Sequence, residues 1–233
     1  MNSIPINRTR TSRVVWEAIL ENASLVEMEG RTALFSEVVT LDRLRARADY
    51  NTGSISSATC WILFALSFLL KPRVVAEVGT FIGRSTLSFV RGMERAEVEN
   101  GAIFTCDYSN DIELPISSEI KLHQFRKKSS LEMFEAMITS QLRCDVLSLD
   151  GRLQAQDFSV LSAIIKRESV IVLDDFEGVE KGVINALSLM NTLHSTHHLI
   201  YPPTSDLMNK FGFRDGCSTA LIVPRSSLLF TNQ

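Results

Sequence analysis

Short apolar runs and longer amphipathic stretches alternate along most of this chain. The short runs predict buried strands, and apolar residues at helical spacing predict helices that pack on one face. Strands are expected at 73–78, 103–107, 120–123, 145–149 and 170–173. Helices are expected between them, at 84–96, 129–142, 156–166 and 178–193. Two further extended segments are expected at 198–201 and 219–223, with a third candidate at 227–231.

The N-terminal part has a different pattern. Helices are expected over 12–29 and 31–48, before a polar break at 49–54. The apolar run 60–70 then predicts a buried helix, with Ser54, Ser56 and Ser57 as candidate N-caps. This run is too short to cross a bilayer. We therefore divide the chain into an N-terminal helical segment, 1–53, which forms a lid or a dimer interface, and a catalytic domain, 54–233.

The alternation of strands and helices predicts an α/β fold. Such a chain forms a mostly parallel sheet with helices on both faces. The close spacing of the last extended segments predicts a C-terminal hairpin with an antiparallel strand. Because ligands bind beyond the carboxyl ends of parallel strands, polar residues at those ends are the first candidates for a site.

Composition and charge narrow the classes of function. The 233 residues are 45% hydrophobic and 22% charged, and the net charge is −3. Neither nucleic acid nor a membrane is therefore an expected partner. The four cysteines are far apart and the N-terminus lacks a signal pattern, so we expect reduced thiols and a cytoplasmic location. Cys217 is the cysteine that could be exposed.

The segment 74–86 carries the most informative motif. An apolar strand leads into Glu77-x-Gly79-x-x-x-Gly83-x-Ser85-Thr86, a glycine-bearing turn that opens a helix. Phe81 stands where a dinucleotide fingerprint has its middle glycine, and the turn lacks the Gly-Lys ending of a phosphate loop. An acid such as Glu77 at the end of an apolar strand needs a partner, and a ligand with hydroxyls or an ammonium group would provide one.

Three more predicted strands also end in acids. Asp107 follows the second strand, Asp150 the fourth, and Asp174 and Asp175 the fifth. If the register holds, these carboxylates and Glu77 meet at one edge of the sheet. Because like charges repel, such a group needs cationic or hydroxyl-rich partners. The repetition favours a shared site over independent turn residues.

Together these residues resemble class I S-adenosylmethionine (SAM)-dependent methyltransferases. The resemblance covers about residues 50–230 and is closest to the small-molecule branch of catechol-type and antibiotic-tailoring O-methyltransferases, which also includes enzymes similar to azetidine-2-carboxylate synthases. It implies a Rossmann-like fold whose seven-stranded sheet is mostly parallel. The cofactor contacts that it implies are Glu77, Gly79, Thr80, Phe81, Ile82, Gly83, Ser85, Asp107, Tyr108, Ser129, Asp150, Thr52 and Gly53.

The resemblance also suggests individual roles. Gly79 to Gly83 would pack against the methionine part of SAM, and Glu77 would order the turn or receive the ammonium group. Asp107 would accept hydrogen bonds from the ribose, and Tyr108 would lie beside the adenine. Asp150 would lie nearest the reacting centre.

Metal dependence is an open alternative. Asp150, Asp174 and Asp175 could bind Mg²⁺, as in the metal-dependent relatives, and the ion would then lower the pKa of a substrate hydroxyl. Relatives often place another acid or a histidine after the Asp-Gly pair, whereas this chain has Arg152. That arginine could instead neutralise the acids or bind a substrate carboxylate.

Methyl transfer is a direct displacement, so the enzyme mainly positions its reactants. Asp150 and then Asp175 are the leading candidates for polar contact with the substrate. Tyr50, Phe81 and Phe176 are expected on loops near the site, where they could hold the sulfonium through cation–π contact or simply pack beneath the loops. The four histidines are expected to be structural, with the last three at a helix end.

Three functions remain open. The first is a methyltransferase acting on a small molecule, with a homodimer as a further expectation. The second is a cyclase that converts SAM to azetidine-2-carboxylate and methylthioadenosine, because such enzymes resemble this branch. The third is a silent binding module, against which the intact Glu77, Gly79, Gly83 and Asp107 argue.

Overall fold

A computed structural model describes residues 8–26, 28–50, 53–177, 179 and 181–227. The helices are α1 Arg8–Val26, α2 Met28–Leu41, α3 Ser57–Leu70, α4 Arg84–Arg95, α5 Ser130–Thr139, α6 Ala155–Ile164, α7 Gly182–Leu193 and α8 Ser205–Lys210, with a 3-10 helix at Asp42–Arg47. The strands are β1 Val74–Val78, β2 Ala102–Asp107, β3 Lys121–Arg126, β4 Cys144–Leu149, β5 Ile165–Leu173, β6 His197–Ile200 and β7 Ala220–Pro224.

The seven strands form one sheet in the order β3-β2-β1-β4-β5-β7-β6. β1 to β5 pair in parallel, and β7 pairs antiparallel with both β5 and β6. Strand order reverses between β1 and β4, which are neighbours in the sheet but not in sequence. The predicted mostly parallel sheet with an antiparallel C-terminal hairpin is confirmed.

Local sequence signals explain the helix that precedes β1. The Ser56 hydroxyl accepts a hydrogen bond from the Thr59 N–H, which caps α3 as the serine cluster predicted. α3 ends at Leu70, and its C-cap Lys71, directly before Pro72, has a left-handed φ of 48°. Proline cannot continue a helix, so the chain turns into β1 there. Most of α3 is buried, as its composition predicted.

The N-terminal helices share the core of the α/β domain. Trp16 on α1 is fully buried in the same apolar cluster as Trp61 on α3, and its indole N–H donates to the Tyr201 carbonyl at 2.7 Å. On α2, Glu37 accepts three hydrogen bonds from Arg91 of α4. The assignment of 1–53 to a lid or a dimer interface stays a prediction.

Several element boundaries differ from those expected. The second predicted helix changes to a 3-10 helix at Asp42, and the helix expected to reach residue 166 ends at Ile164, where β5 begins early. His197 lies in β6 rather than at a helix end, and His198 lies in β6 as the predicted extended segment 198–201 implies. Cys217 is buried, because it packs against the buried Thr59 in the apolar core. The 227–231 candidate falls outside the described residues except for Ser227.

α8 was not predicted, and its Thr204 N-cap accepts from the Leu207 N–H. Across the described part of the chain, none of the helices has both the length and the apolar character that crossing a membrane requires.

Candidate functional site

The turn after β1 has a backbone that few residues tolerate. Gly79 has a φ of 101° and Gly83 a φ of 82°, a region in which side chains are strained. A Cβ on Gly79 would lie 3.0 Å from the carbonyl carbon of Asp150. Phe81, between the glycines, also has a left-handed φ of 44°. The turn is therefore strained, and it packs directly against the end of β4.

Glu77 lies beneath this turn rather than in the open. It is 1% exposed, and its Oε2 accepts hydrogen bonds from Thr86 at 2.5 Å and Thr105 at 2.6 Å. Burial raises the pKa of Glu77, and the hydroxyls of Ser85, Thr105 and Thr86 offset part of that rise. Glu77 thus joins β1, β2 and the start of α4, and its geometry favours the role of ordering the turn.

Asp107, at the end of β2, holds the other side of the turn. Its Oδ2 accepts from the Phe81 N–H at 2.8 Å and from the Tyr50 hydroxyl at 2.9 Å. Its Oδ1 accepts from the Ser109 N–H at 3.0 Å. The Tyr50 ring stacks on Phe81 with centroids 5.1 Å apart. One carboxylate therefore fixes the turn and an aromatic side chain of the N-terminal segment.

A cleft of about 580 Å³ opens where these elements meet. Its size is in the range of small-molecule and cofactor sites. Many of its lining residues were predicted from the sequence: Tyr50, Gly53, Gly79, Phe81, Asp107, Tyr108, Ser129 and Asp150. Tyr108 is 76% exposed at the edge of the cleft, where an aromatic ring is free to pack against a ligand. The cleft lies at the carboxyl ends of the strands, as expected.

Beside this cleft lie the acids that end β4 and β5, of which Asp150 is in the cleft lining and Asp174 and Asp175 are not. Three carboxylate oxygens lie within 4.8 Å of one another, one from each of Asp150, Asp174 and Asp175. Burial raises the pKa of Asp150 to about 7, and the nearby Asp174 adds to the rise, whereas Lys181 opposes it. Asp174 is buried, which raises its pKa, and it accepts a hydrogen bond from Thr219 at 2.8 Å.

Lys181 was not predicted and belongs to this group. Its Nζ lies 3.2 Å from Asp150 Oδ1 and 2.9 Å from Asp175 Oδ2. Burial by itself would lower the pKa of Lys181. The two carboxylates have a larger effect in the opposite direction, so the net result is a raised pKa. Arg152, the expected cation, lines the cleft but is exposed. A smaller cavity of about 340 Å³ adjoins this group, with a lining that includes Ser56, Gly216 and Ser218.

The remaining predicted site residues lie outside the cleft lining or outside the described chain. Thr80, Ile82, Gly83 and Ser85 are in the turn or the start of α4, behind the lining residues. Phe176 packs against Tyr201, with ring centroids 6.0 Å apart, and does not line the cleft. Thr52 lies outside the described residues. These placements separate residues that shape the cleft from residues that face it.

The three clustered acids do not fit a resident metal as they are arranged. Their oxygens are of the kind that Mg²⁺ prefers. However, the Lys181 ammonium is already within hydrogen-bond distance of two of the three carboxylates. A cation in the same place would meet this ammonium at close range and be repelled. We therefore assign no chemical step to a metal.

A further cavity of about 670 Å³ lies at the opposite end of β5. Ile165, Lys166 and His197 are in its lining, together with residues of α6 and α7. It contains none of the residues that the sequence singled out for chemistry. The carboxyl-end cleft is therefore the better candidate, although it is slightly smaller.

No protein-family model matches this chain, and no curated protein sequence matches it significantly. Solved structures do match. An O-methyltransferase from Bacillus cereus in complex with SAH has a TM-score of 0.56 at 14% identity, over 81% of this chain and 90% of the other. TomG, a Streptomyces achromogenes O-methyltransferase involved in tomaymycin synthesis and in complex with SAM, has a TM-score of 0.51 at 16% identity, over 85% and 91%.

The SAH-bound methyltransferase PaMTH1 from Podospora anserina matches over 97% of this chain and 99% of its own, with a TM-score of 0.50 at 12% identity. That match includes most of the N-terminal segment. The chain therefore has the Rossmann-like fold of class I SAM-dependent methyltransferases, and the first two of these structures are O-methyltransferases. This agrees with the resemblance seen in the sequence.

Proposed function

We propose that the protein is a SAM-dependent methyltransferase that acts on a small molecule in biosynthesis. The observation that carries this proposal is Asp107, which faces a cleft of about 580 Å³ beside the Gly79 turn. A carboxylate and a glycine turn at the switch in strand order are suited to a ligand with a ribose. The fold shared with O-methyltransferases supports SAM as that ligand.

The lining of the cleft suggests how SAM would lie. Its methionine part would follow the Gly79 turn toward Asp150, and its ribose hydroxyls would donate to Asp107. Its adenine would cover Tyr108, which is otherwise 76% exposed. The Tyr50 hydroxyl already donates to Asp107. The ribose and Tyr50 would therefore either share that carboxylate or compete for it.

The acceptor would enter from the adjoining cavity of about 340 Å³. Carboxylates and hydroxyls dominate its lining, which favours a compact acceptor that carries hydroxyl or amino groups. In a direct displacement the protein holds the acceptor in line with the methyl group and excludes competing water. Asp150 lines both cavities, as do Gly53 and Lys181, and it is the carboxylate we expect to touch both reactants.

Tyr50 at the edge of the cleft favours a second candidate. Its ring could hold a sulfonium cation, whereas Phe81, on which it stacks, already has the Arg45 guanidinium 5.3 Å from its ring centroid. With the acceptor cavity small, the same cofactor could react with itself. The amino nitrogen would attack its own γ-carbon, the carbon–sulfur bond would break, and methylthioadenosine would leave with the sulfur electron pair. The proton lost from nitrogen would pass to an acceptor such as Asp150.

One experiment separates these candidates. The purified protein is incubated with SAM alone, and the products are identified by mass spectrometry against a heat-inactivated control. SAM binding is measured in parallel by calorimetry. For a methyltransferase we expect binding without turnover until an acceptor is added, followed by formation of SAH.

Methylthioadenosine and a cyclic amino acid above the control would support the cyclase and overturn simple methyl transfer. An absence of SAM binding would remove both enzymatic candidates. Compact hydroxylated and amino compounds form the first acceptor panel, because they match the polar lining of the smaller cavity.

A further inference from the structure

Lys181 occupies the space between the acids that end β4 and β5. It is within 3.2 Å of Asp150 and 2.9 Å of Asp175, and Asp174 belongs to the same cluster. Its side chain is 36% exposed and that of Asp150 is 24% exposed. Partly buried ion pairs are screened by salt less than surface pairs. The ammonium therefore offsets carboxylates that would otherwise repel one another at close range.

The backbone is shaped to bring Lys181 to these acids. A Cβ on the next residue, Gly182, would lie 2.5 Å from the Asp174 carbonyl oxygen and 2.9 Å from that of Asp175. Only glycine allows the start of α7 to approach the acid turn so closely. Asp175 itself has a left-handed φ of 51°, which is costly for a residue other than glycine. Two unusual backbone features thus converge on this one ion-pair group.

We propose that Lys181 is the resident cation of this site and takes the place that a divalent metal would otherwise fill. The inference rests on the proposed function, because it makes Lys181 the residue that positions Asp150 and Asp175 beside the reacting methyl group. Mg²⁺ requires carboxylate oxygens at about 2.0–2.1 Å. An ammonium that is bonded to two of the same carboxylates competes directly for them.

Removing the ammonium should therefore create a metal site. In Lys181→Met the side chain keeps its approximate length but loses its charge, and three neighbouring carboxylates remain without their cation. Lys181→Arg keeps the charge and should behave like the unaltered protein. Lys166→Met is the matched control, because Lys166 also pairs with an aspartate, Asp145, but at the opposite end of β5.

The test measures thermal unfolding of the full chain in MgCl₂, in MnCl₂ and in EDTA, without SAM. The melting temperature of the unaltered protein, of Lys181→Arg and of Lys166→Met should not respond to either metal. That of Lys181→Met should rise by roughly 3–5 °C when the metal is about tenfold above its dissociation constant. Mn²⁺ binding measured by electron paramagnetic resonance gives a second readout that does not depend on stability.

Two results would overturn the inference. The first is a metal response in the unaltered protein that Asp174→Asn abolishes, which remains measurable even if Lys181→Met does not fold. The second is a folded Lys181→Met that binds neither metal. Because both readouts omit SAM, failure of the proposed function would appear separately, as absent SAM binding in calorimetry.

Discussion

The two halves of the site, on either side of the cleft, hold carboxylates at the ends of adjacent parallel strands by different contacts. On the β1–β2 side, Glu77 and Asp107 accept hydrogen bonds from hydroxyl and backbone N–H groups. On the β4–β5 side, Asp150 and Asp175 face each other across Lys181, which is charged. The first half is fixed by neutral donors, whereas the second is balanced by an ion pair.

This difference suggests a division of labour. Neutral donors that belong to the backbone and to buried threonines cannot move away, so the β1–β2 side is a rigid frame suited to a constant cofactor. The β4–β5 side is held by one partly exposed lysine, so its charge balance responds to whatever binds beside it. The cofactor would then lie on the β1–β2 side and the acceptor on the β4–β5 side.

The largest effect is expected from disrupting the contact between the two halves of the site. In Gly79→Ala, the new Cβ would lie 3.0 Å from the Asp150 backbone at a φ of 101°. We expect a loss of about 2–4 kcal/mol in the free energy of unfolding, since backbone strain and overpacking combine. Urea denaturation measures this loss, and SAM binding should fail as well.

Gly53→Ala is the control for that variant. Gly53 lines the same cleft, but a Cβ there would meet nothing within 4 Å. Its free energy of unfolding should stay within about 0.5 kcal/mol of the unaltered protein. Equal losses in the two alanine variants would show that the turn after β1 is not tightly packed against β4.

Asp107→Ala tests whether the rigid side holds the cofactor. If Asp107 accepts the ribose hydroxyls, SAM binding should weaken by about 1–3 kcal/mol, or roughly five- to 150-fold in Kd. Calorimetry measures the change, and Asp111→Ala is the control because Asp111 is an exposed acid of the following loop. Unchanged affinity in Asp107→Ala would remove this residue from the site.

Much of the rigid side could be predicted from the sequence, and much of the charged side could not. The predicted strand ends carry Glu77 and Asp107, and the turn after the first strand carries Gly79. The periodicity of the sequence is therefore enough to bring these residues together. Lys181 starts a helix after β5, and its position depends on the close approach that Gly182 permits. A contact of that kind leaves no periodic signal in a single sequence.

The sequence also could not show which acids face the cleft. Glu77 and Asp150 both end apolar strands, but Thr86 and Thr105 come from other elements to enclose Glu77. The burial of Cys217 was unexpected for the same reason. Its hydrophilic neighbours in the sequence suggested exposure, whereas tertiary packing against Thr59 buries it. Burial of a single side chain depends on which partners the fold supplies.

Glu77→Gln tests the side held by neutral donors through the pH dependence of folding stability. The amide oxygen can keep both threonine hydrogen bonds, so at acid pH, where Glu77 is also uncharged, we expect a free energy of unfolding within about 1 kcal/mol of the unaltered protein. Because burial raises the pKa of Glu77 in the folded state, its ionisation costs folding stability as pH rises above the ordinary carboxyl range. The glutamine lacks that cost.

Stability measured from acid to neutral pH should therefore shift in favour of Glu77→Gln as pH rises through the raised pKa. Below the ordinary carboxyl pKa, Glu77 is protonated in both the folded and unfolded states, and this contribution is absent. Parallel pH profiles of the two proteins would mean that Glu77 ionises without cost and is not sealed beneath the turn.

Tyr50→Phe should have the smallest effect, and its sign is informative. The variant keeps the ring that stacks on Phe81 but removes the hydroxyl that donates to Asp107. If the ribose competes for that carboxylate, SAM affinity should rise by about 0.5–1 kcal/mol, the net value of one hydrogen bond. Tyr50→Leu, which also removes the stacked ring, separates loss of the hydroxyl from loss of the aromatic surface. Weaker SAM binding by Tyr50→Phe would instead mean that the hydroxyl contacts the cofactor, and that the rigid side of the cleft extends into the N-terminal segment.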